Sequence, residues 1–201
     1  MIAGQPEVGA DLPPYVGIAM TAVRLVRTVQ EAEEALAALL QADTIGFDTE
    51  SKPTFAKGEV STGPHLVQLS TDTLAYLFQT LSPASNAAAL TVLKPVLESP
   101  DVLKVGFGLG DDVRRLRAKL GIDTHHVLDL STALRRRGEK NPLGARSAVE
   151  RFFGQRLQKS KRITTTNWSL PRLSEKQLQY AADDAHAALR VYRRWREQNP
   201  A

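Results

Sequence analysis

The run Thr44–Glu50, TIGFDTE, reads as a strand that is apolar until it ends in two carboxylates. Side chains alternate along a strand, so Asp48 and Glu50 leave the same face. If that face is buried, each ion loses its hydration and the fold has to return a compensating charge. A hard divalent cation is one such charge. A strand end open to water satisfies the same pattern without one, and this segment by itself leaves both readings open.

The flanking pattern places this strand in a mixed sheet. Residues 23–26 form a short strand, and Thr28 caps a helix with apolar positions at Val29, Ala32, Ala35, Leu36, Leu39 and Leu40. The segment 51–64, with Pro53, Gly58, Gly63 and Pro64, is a loop into the strands HLVQLS and LAYLF, which meet across the turn Thr71-Asp72-Thr73. A helix over 86–98, a buried strand in VLKVGF, a helix over 112–120, a strand over 127–130 and a helix over 145–153 follow. The last segment, SEKQLQYAADDAHAALRVYRRW, is a helix with a capping box at Ser174 and Gln177 and a hydrophobic staple of Leu173 and Leu178. An antiparallel meander followed by strands that alternate with helices predicts an α/β fold with a mixed sheet flanked by helices.

With 201 residues, one domain over 23–201 is expected, preceded by a flexible leader over 1–22 that contains Pro13 and Pro14 and lacks the basic and apolar regions of a secretory signal. The absence of cysteine excludes a disulfide framework and thiolate metal sites and fits a reducing, cytoplasmic setting. No window approaches the ~18 consecutive apolar residues of a membrane helix, so no membrane partner is expected. The formal net charge is +4, yet residues 135–172 hold eleven Lys and Arg against Glu139 and Glu150, which leaves the remainder acidic. A basic flank beside an acidic remainder suits a protein that holds a polyphosphate strand and keeps carboxylates for a cation; a solvated helical face is the alternative.

Two further clusters carry chemistry. Tyr180 and Asp184 stand at i and i+4 on the capped helix, which sets a phenol one turn from a carboxylate, although Tyr180 also continues the apolar stripe of Leu178, Ala181, Ala185 and Leu189. In GFGLGDDVRRL, Asp111 suits the N-cap and Asp112 then projects from the first turn. The same stretch imitates a dinucleotide fingerprint, but the third glycine position counted from Gly106 is Asp111, whose charge would repel a pyrophosphate.

Taken in order, Asp48-Thr49-Glu50, Asp112 with Leu116, and Tyr180-x-x-x-Asp184 resemble the three motifs of the DEDD superfamily of 3′-to-5′ exonucleases, tyrosine branch, over about 23–196. The resemblance implies a ribonuclease-H-like fold and a metal-dependent 3′-to-5′ exonuclease that hydrolyses terminal phosphodiesters of DNA or RNA to nucleoside 5′-monophosphates. It implies two Mg²⁺ or Mn²⁺ ions held by Asp48, Glu50, Asp112 and Asp184, with Tyr180 orienting the attacking water, because a phenol of pKa near 10 is mostly protonated at neutral pH. The histidine branch carries a histidine where this chain has Gln179, so His186 is expected to be a bystander. Lys161, Arg162 and Trp168 are candidates for contacts to a nucleic acid with a free 3′ end, Trp168 by stacking on a base. A catalytically weak nucleic-acid-binding module on the same fold, and endonucleolytic cleavage, are the competing functions.

Overall fold

The computed structural model describes residues 12–54, 58–158 and 161–200, without the side chain of Lys161. Six strands form one sheet: β1 (Val23–Leu25), β2 (Thr44–Glu50), β3 (Leu66–Ser70), β4 (Ala75–Gln79), β5 (Leu103–Gly106) and β6 (Val127–Asp129). Their order is β1-β4-β3-β2-β5-β6. The meander β2-β3-β4 is antiparallel, and the crossovers add β1, β5 and β6 in parallel. The helices are α1 (Val29–Gln41), α2 (Pro83–Leu97), α3 (Gly110–Leu120), α4 (Leu130–Ala133), α5 (Ala145–Phe153), α6 (Lys161–Thr164) and α7 (Glu175–Gln198). This is the expected mixed α/β architecture.

Alternation along β2 sorts its residues between two layers. Ile45 and Phe47 face a core shared with Ala35 and Leu39 of α1, Val92, Leu93 and Val96 of α2, and Leu116 of α3. Gly46 faces α7, where a Cβ would stand 1.9 Å from the carbonyl oxygen of Ala185, so only glycine lets helix and strand approach this closely. Asp48 and Glu50 share the parity of Gly46 and belong to the α7 layer; Thr49 belongs to the α1–α3 layer. A second core unites Val105 with α5 and Ala187, Ala188, Leu189 and Val191 of α7.

Capping boxes start α1 at Thr28 with Glu31 and α7 at Ser174 with Gln177. Helix α2 begins earlier than the sequence indicated: Ser82 and Ser85 form its box, with Pro83 in the first turn, where its missing N–H costs nothing. Asp111 is not the cap of α3. The N-cap is Leu109, and the carboxylate of Asp129, at the end of β6, accepts from the N–H groups of Gly108 and Leu109 (2.9 and 3.0 Å).

Residues 12–22 are no loose leader. The Tyr15 N–H donates to the Arg156 carbonyl and Arg156 N–H returns to Pro13 (3.0 and 2.8 Å), and Tyr15 packs on Phe153. Ile18 is buried with Ala75 and Ala182. No local signal announces these contacts, because the partners, from Ala75 to Asp183, are distant in sequence. Residues 1–11 lie outside the described residues. No described helix is long and apolar enough to cross a membrane.

Candidate active site

The contacts of α7 fix its direction across the sheet. At Gly46 it presents Ala185 and Leu189; at Leu66, which pairs with Glu50, it presents Tyr180 and Ala181. The helix therefore runs antiparallel to β2, and its Tyr180–Asp184 face passes beside the end of the strand that carries Asp48 and Glu50. Asp184 and Tyr180 are buried at 6% and 7% exposure, so neither is a solvated surface group.

Asp112 reaches the same strand end from the other layer. Strand β5 pairs with β2 in parallel and ends at Gly106, where a Cβ would meet the Phe47 carbonyl oxygen at 2.3 Å. The chain then turns through 107–109 into α3 and places Asp112 in its first turn. There the Thr49 hydroxyl donates to Asp112 Oδ1. Burial lifts the Asp112 carboxyl above the ordinary carboxylate range, with the Thr49 bond and Arg115 opposing that rise. Asp111, by contrast, lies on the surface against Arg114 at 2.8 Å.

The backbone thus brings four acidic positions from three elements to the C-terminal end of β2, the end of a strand where open α/β sheets hold ligands. Among the described residues, no three His, Asp or Glu side chains are drawn closely enough together to hold one ion. By backbone placement alone these four acidic positions ring the strand end, a rim of acidic residues. Their oxygens are donors of the hard kind that Mg²⁺ and Mn²⁺ take, and a desolvated Asp112 with a raised pKa is a group that a nearby cation would relieve.

Tyr180 is buried and held from α6 and from Trp168. Its hydroxyl lies 3.1 Å from the hydroxyl of Thr164 in α6, and its ring lies 6.1 Å from that of Trp168. Trp168 is fully buried with Leu66, Leu77 and Ala181, and its indole N–H points to the Thr164 carbonyl (3.4 Å). Base stacking by Trp168 is therefore excluded: the ring has no free face, and its work is to seat Tyr180 and α6. Arg162 is exposed on α6, while the side chain of Lys161 lies outside the described residues. His186 is buried against the β3–β4 turn, with Nε2 3.3 Å from the Asp72 carbonyl, and takes no part in the rim.

Three features escaped sequence reasoning. Thr49 was passed over because its side chain leaves the opposite face from its neighbours. His65 fastens both ends of the loop after Glu50: the Lys52 N–H donates to Nδ1 (3.0 Å), Thr62 Oγ1 sits 3.1 Å from Nε2, and the His65 N–H donates to the Glu50 carbonyl (2.8 Å). Accepting at Nδ1 requires the neutral ring, and burial and Lys52 hold the imidazole below its usual pKa. Asp183, the neighbour of Asp184, binds the chain near Ile18. Of these, only the threonine between two motif acids left a local signal.

The 3′-5′ exonuclease family matches residues 23–198. A 3′-5′ exonuclease of Arabidopsis thaliana is 31% identical over 154 residues, covering 74% of this chain and 51% of that protein. The chain therefore spans about half the length of that relative. The EXO domain of Aedes aegypti Nibbler superposes with a TM-score of 0.71 at 26% identity, over 90% of each chain. The fold is also that of Trypanosoma brucei RNase D, solved in complex with RNA U12 (TM-score 0.74, 23% identity, 87% of this chain and 63% of that one). The match over residues 23–198, with these relatives, makes the chain a member of the 3′-5′ exonuclease family.

Proposed function

We propose that this protein is a metal-dependent exonuclease that removes nucleoside 5′-monophosphates from the 3′ end of a DNA or RNA strand. What supports this reading is the placement of Asp48 and Glu50 on β2, Asp112 on α3 and Asp184 on α7 around one strand end, in a member of that family. Asp48, Glu50, Asp112 and Asp184 would hold two divalent cations, Mg²⁺ or Mn²⁺. When bound, these supply Lewis acidity toward the scissile phosphate and offset the charge that builds on it.

The chain's own residues do the rest. The Thr49 hydroxyl engages one oxygen of Asp112, which fixes how the carboxylate is turned toward the rim. Tyr180, braced by Thr164 and Trp168, holds the attacking water for in-line approach to the last phosphodiester. The bond from phosphorus to the upstream 3′ oxygen breaks, leaving a new 3′-hydroxyl on the shortened strand. Upstream phosphates meet the exposed cations Arg135, Arg136, Arg137, Lys140, Arg146, Arg162 and Arg172.

A 5′-labelled single-stranded RNA, the matching DNA and a recessed duplex, each incubated with Mg²⁺ and then with Mn²⁺, test the proposal. A ladder that shortens by single nucleotides is expected for at least one substrate. Cutting of a closed circular strand, or tight salt-sensitive binding with no product in either metal, would contradict it.

A further inference from the structure

A pocket of about 530 Å³ lies over the C-terminal half of α7. His186, Arg190, Arg193 and Arg194 line one side; Phe153 of α5 and Asp72 of the β3–β4 turn close the other. A helix turns about 100° per residue, so His186 leaves α7 about 200° around from Asp184. Arg190 and Arg194 stand about 9 and 15 Å farther along the helix than Asp184, toward the start of β2, where Arg193 grips Asp43. The pocket is therefore no part of the carboxylate rim. Both of its own carboxylates are already engaged, Asp72 by Arg193 and Glu197 by Arg194, each at 3.1 Å. Arg190 has no carboxylate partner among the described residues. Its guanidinium lies over the rings of Tyr15 and Phe153 at 5.8 and 5.1 Å, with the Val16 carbonyl at 3.4 Å, and packing on two rings holds the cation in place. His186 adds a second unmet demand. It is 6% exposed, its Nε2–H donates to the Asp72 carbonyl (3.3 Å), and its Nδ1 is buried with no hydrogen-bond partner. A neutral imidazole with its proton on Nε2 accepts at Nδ1, so this wall calls for a donor there and for an anion at Arg190.

We propose that this pocket binds a nucleoside monophosphate, with the phosphate on Arg190 and Arg194 and a sugar hydroxyl donating to His186 Nδ1. A guanidinium fork matches a phosphate group with two parallel hydrogen bonds. The sugar hydroxyl supplies the donor that a phosphate dianion lacks. The volume falls within the roughly 300 to 1,000 Å³ that encloses one small ligand. The exonuclease reading above releases molecules of this class, yet binding here needs neither metal nor turnover. The pocket also shares α7 with Tyr180 and Asp184, so one helix carries a nucleotide site and part of the rim.

Calorimetric titration of the full chain in a chelator, which keeps divalent cations off the rim, tests this with adenosine 5′-monophosphate, adenosine and inorganic phosphate. The nucleotide is expected to bind with a Kd below about 1 mM, and roughly tenfold or more tightly than either fragment. Arg190→Gln, Arg194→Gln and His186→Leu should each weaken it by about tenfold or more, and Asp184→Asn should leave it unchanged. Arg194 is exposed and outside the ring stack, so Arg194→Gln carries the comparison if Arg190→Gln does not fold. No binding by the wild type, equal affinity for either fragment, or variants with wild-type affinity overturns the inference. Binding that Asp184→Asn abolishes and the arginine variants keep overturns it too, since the nucleotide then sits at the rim. Nucleotide binding lost in the arginine variants, with no exonuclease product from the wild type in either metal, upholds the pocket and removes the turnover assignment instead.

Discussion

The Thr49 hydroxyl donates to Asp112, so the strand that carries Asp48 and Glu50 also orients the one acidic residue that arrives from the opposite layer. A strand has two faces, and this motif uses both: the outer residues meet α7 and the middle one meets α3.

Thr49→Val should therefore weaken the site without removing a carboxylate. A partner that orients a metal ligand is worth about 10- to 100-fold in metal affinity or activity. A shift of that size in the Mg²⁺ or Mn²⁺ concentration for half-maximal rate is expected, with Thr49→Ser near wild type. Metal titration of the exonuclease rate checks it.

Asp112 predicts a separation of activity from stability. Its carboxyl is held above the ordinary range mainly by burial, so between the ordinary carboxylate value and the raised one the metal-free folded chain binds more of this proton than the unfolded chain does. Stability contributed by this group therefore falls as pH rises from the usual carboxylate value through the folded one. Asp112→Asn should melt higher than the wild type in a chelator at neutral pH, and show no exonuclease activity. Added Mn²⁺ should raise the wild-type melting temperature and leave that of the variant where it was. Thermal melts with and without chelator read both.

The main lines of this fold were legible because they rest on local rules. The boxes at Thr28 and Ser174 announced α1 and α7, and the parity of Asp48 and Glu50 put them on one face. What was not legible depends on distant partners. Asp129, at the end of β6, holds the turn into α3 through the N–H groups of Gly108 and Leu109, and Leu109 takes the cap position expected of Asp111. Trp168 is buried by β3, β4 and α7, which removed it from the nucleic-acid surface. The segment 12–22 has the prolines and glycine of a leader, yet residues 155, 156, 179 and 183 hold it.

Tyr180→Phe keeps the ring against Trp168 and loses only the hydroxyl beside Thr164. Folding should be unaffected. The turnover number should drop by about 10²-fold, the scale of loss when a reactant is held out of line, with little change in KM. Steady-state kinetics on a short oligonucleotide separates the two parameters.

Lys104, fully buried on β5, donates from Nζ to the Ser99 carbonyl (2.7 Å). Burial pulls its pKa from 10.5 down to about 8. Between those values the unfolded chain binds a proton that the folded chain does not, so stability rises with pH across that window. The advantage of Lys104→Met over the wild type should be largest below pH 8 and shrink toward pH 10.5. Denaturant midpoints for both proteins at pH 7, 9 and 10 test this.

The most direct measurement is digestion of a 5′-labelled single strand by the wild type and by Asp184→Asn, in Mg²⁺ and in Mn²⁺, with both proteins shown to melt alike. The account predicts a one-nucleotide ladder from the 3′ end for the wild type and an intact strand for Asp184→Asn. Undiminished laddering by Asp184→Asn would place the chemistry somewhere other than the end of β2.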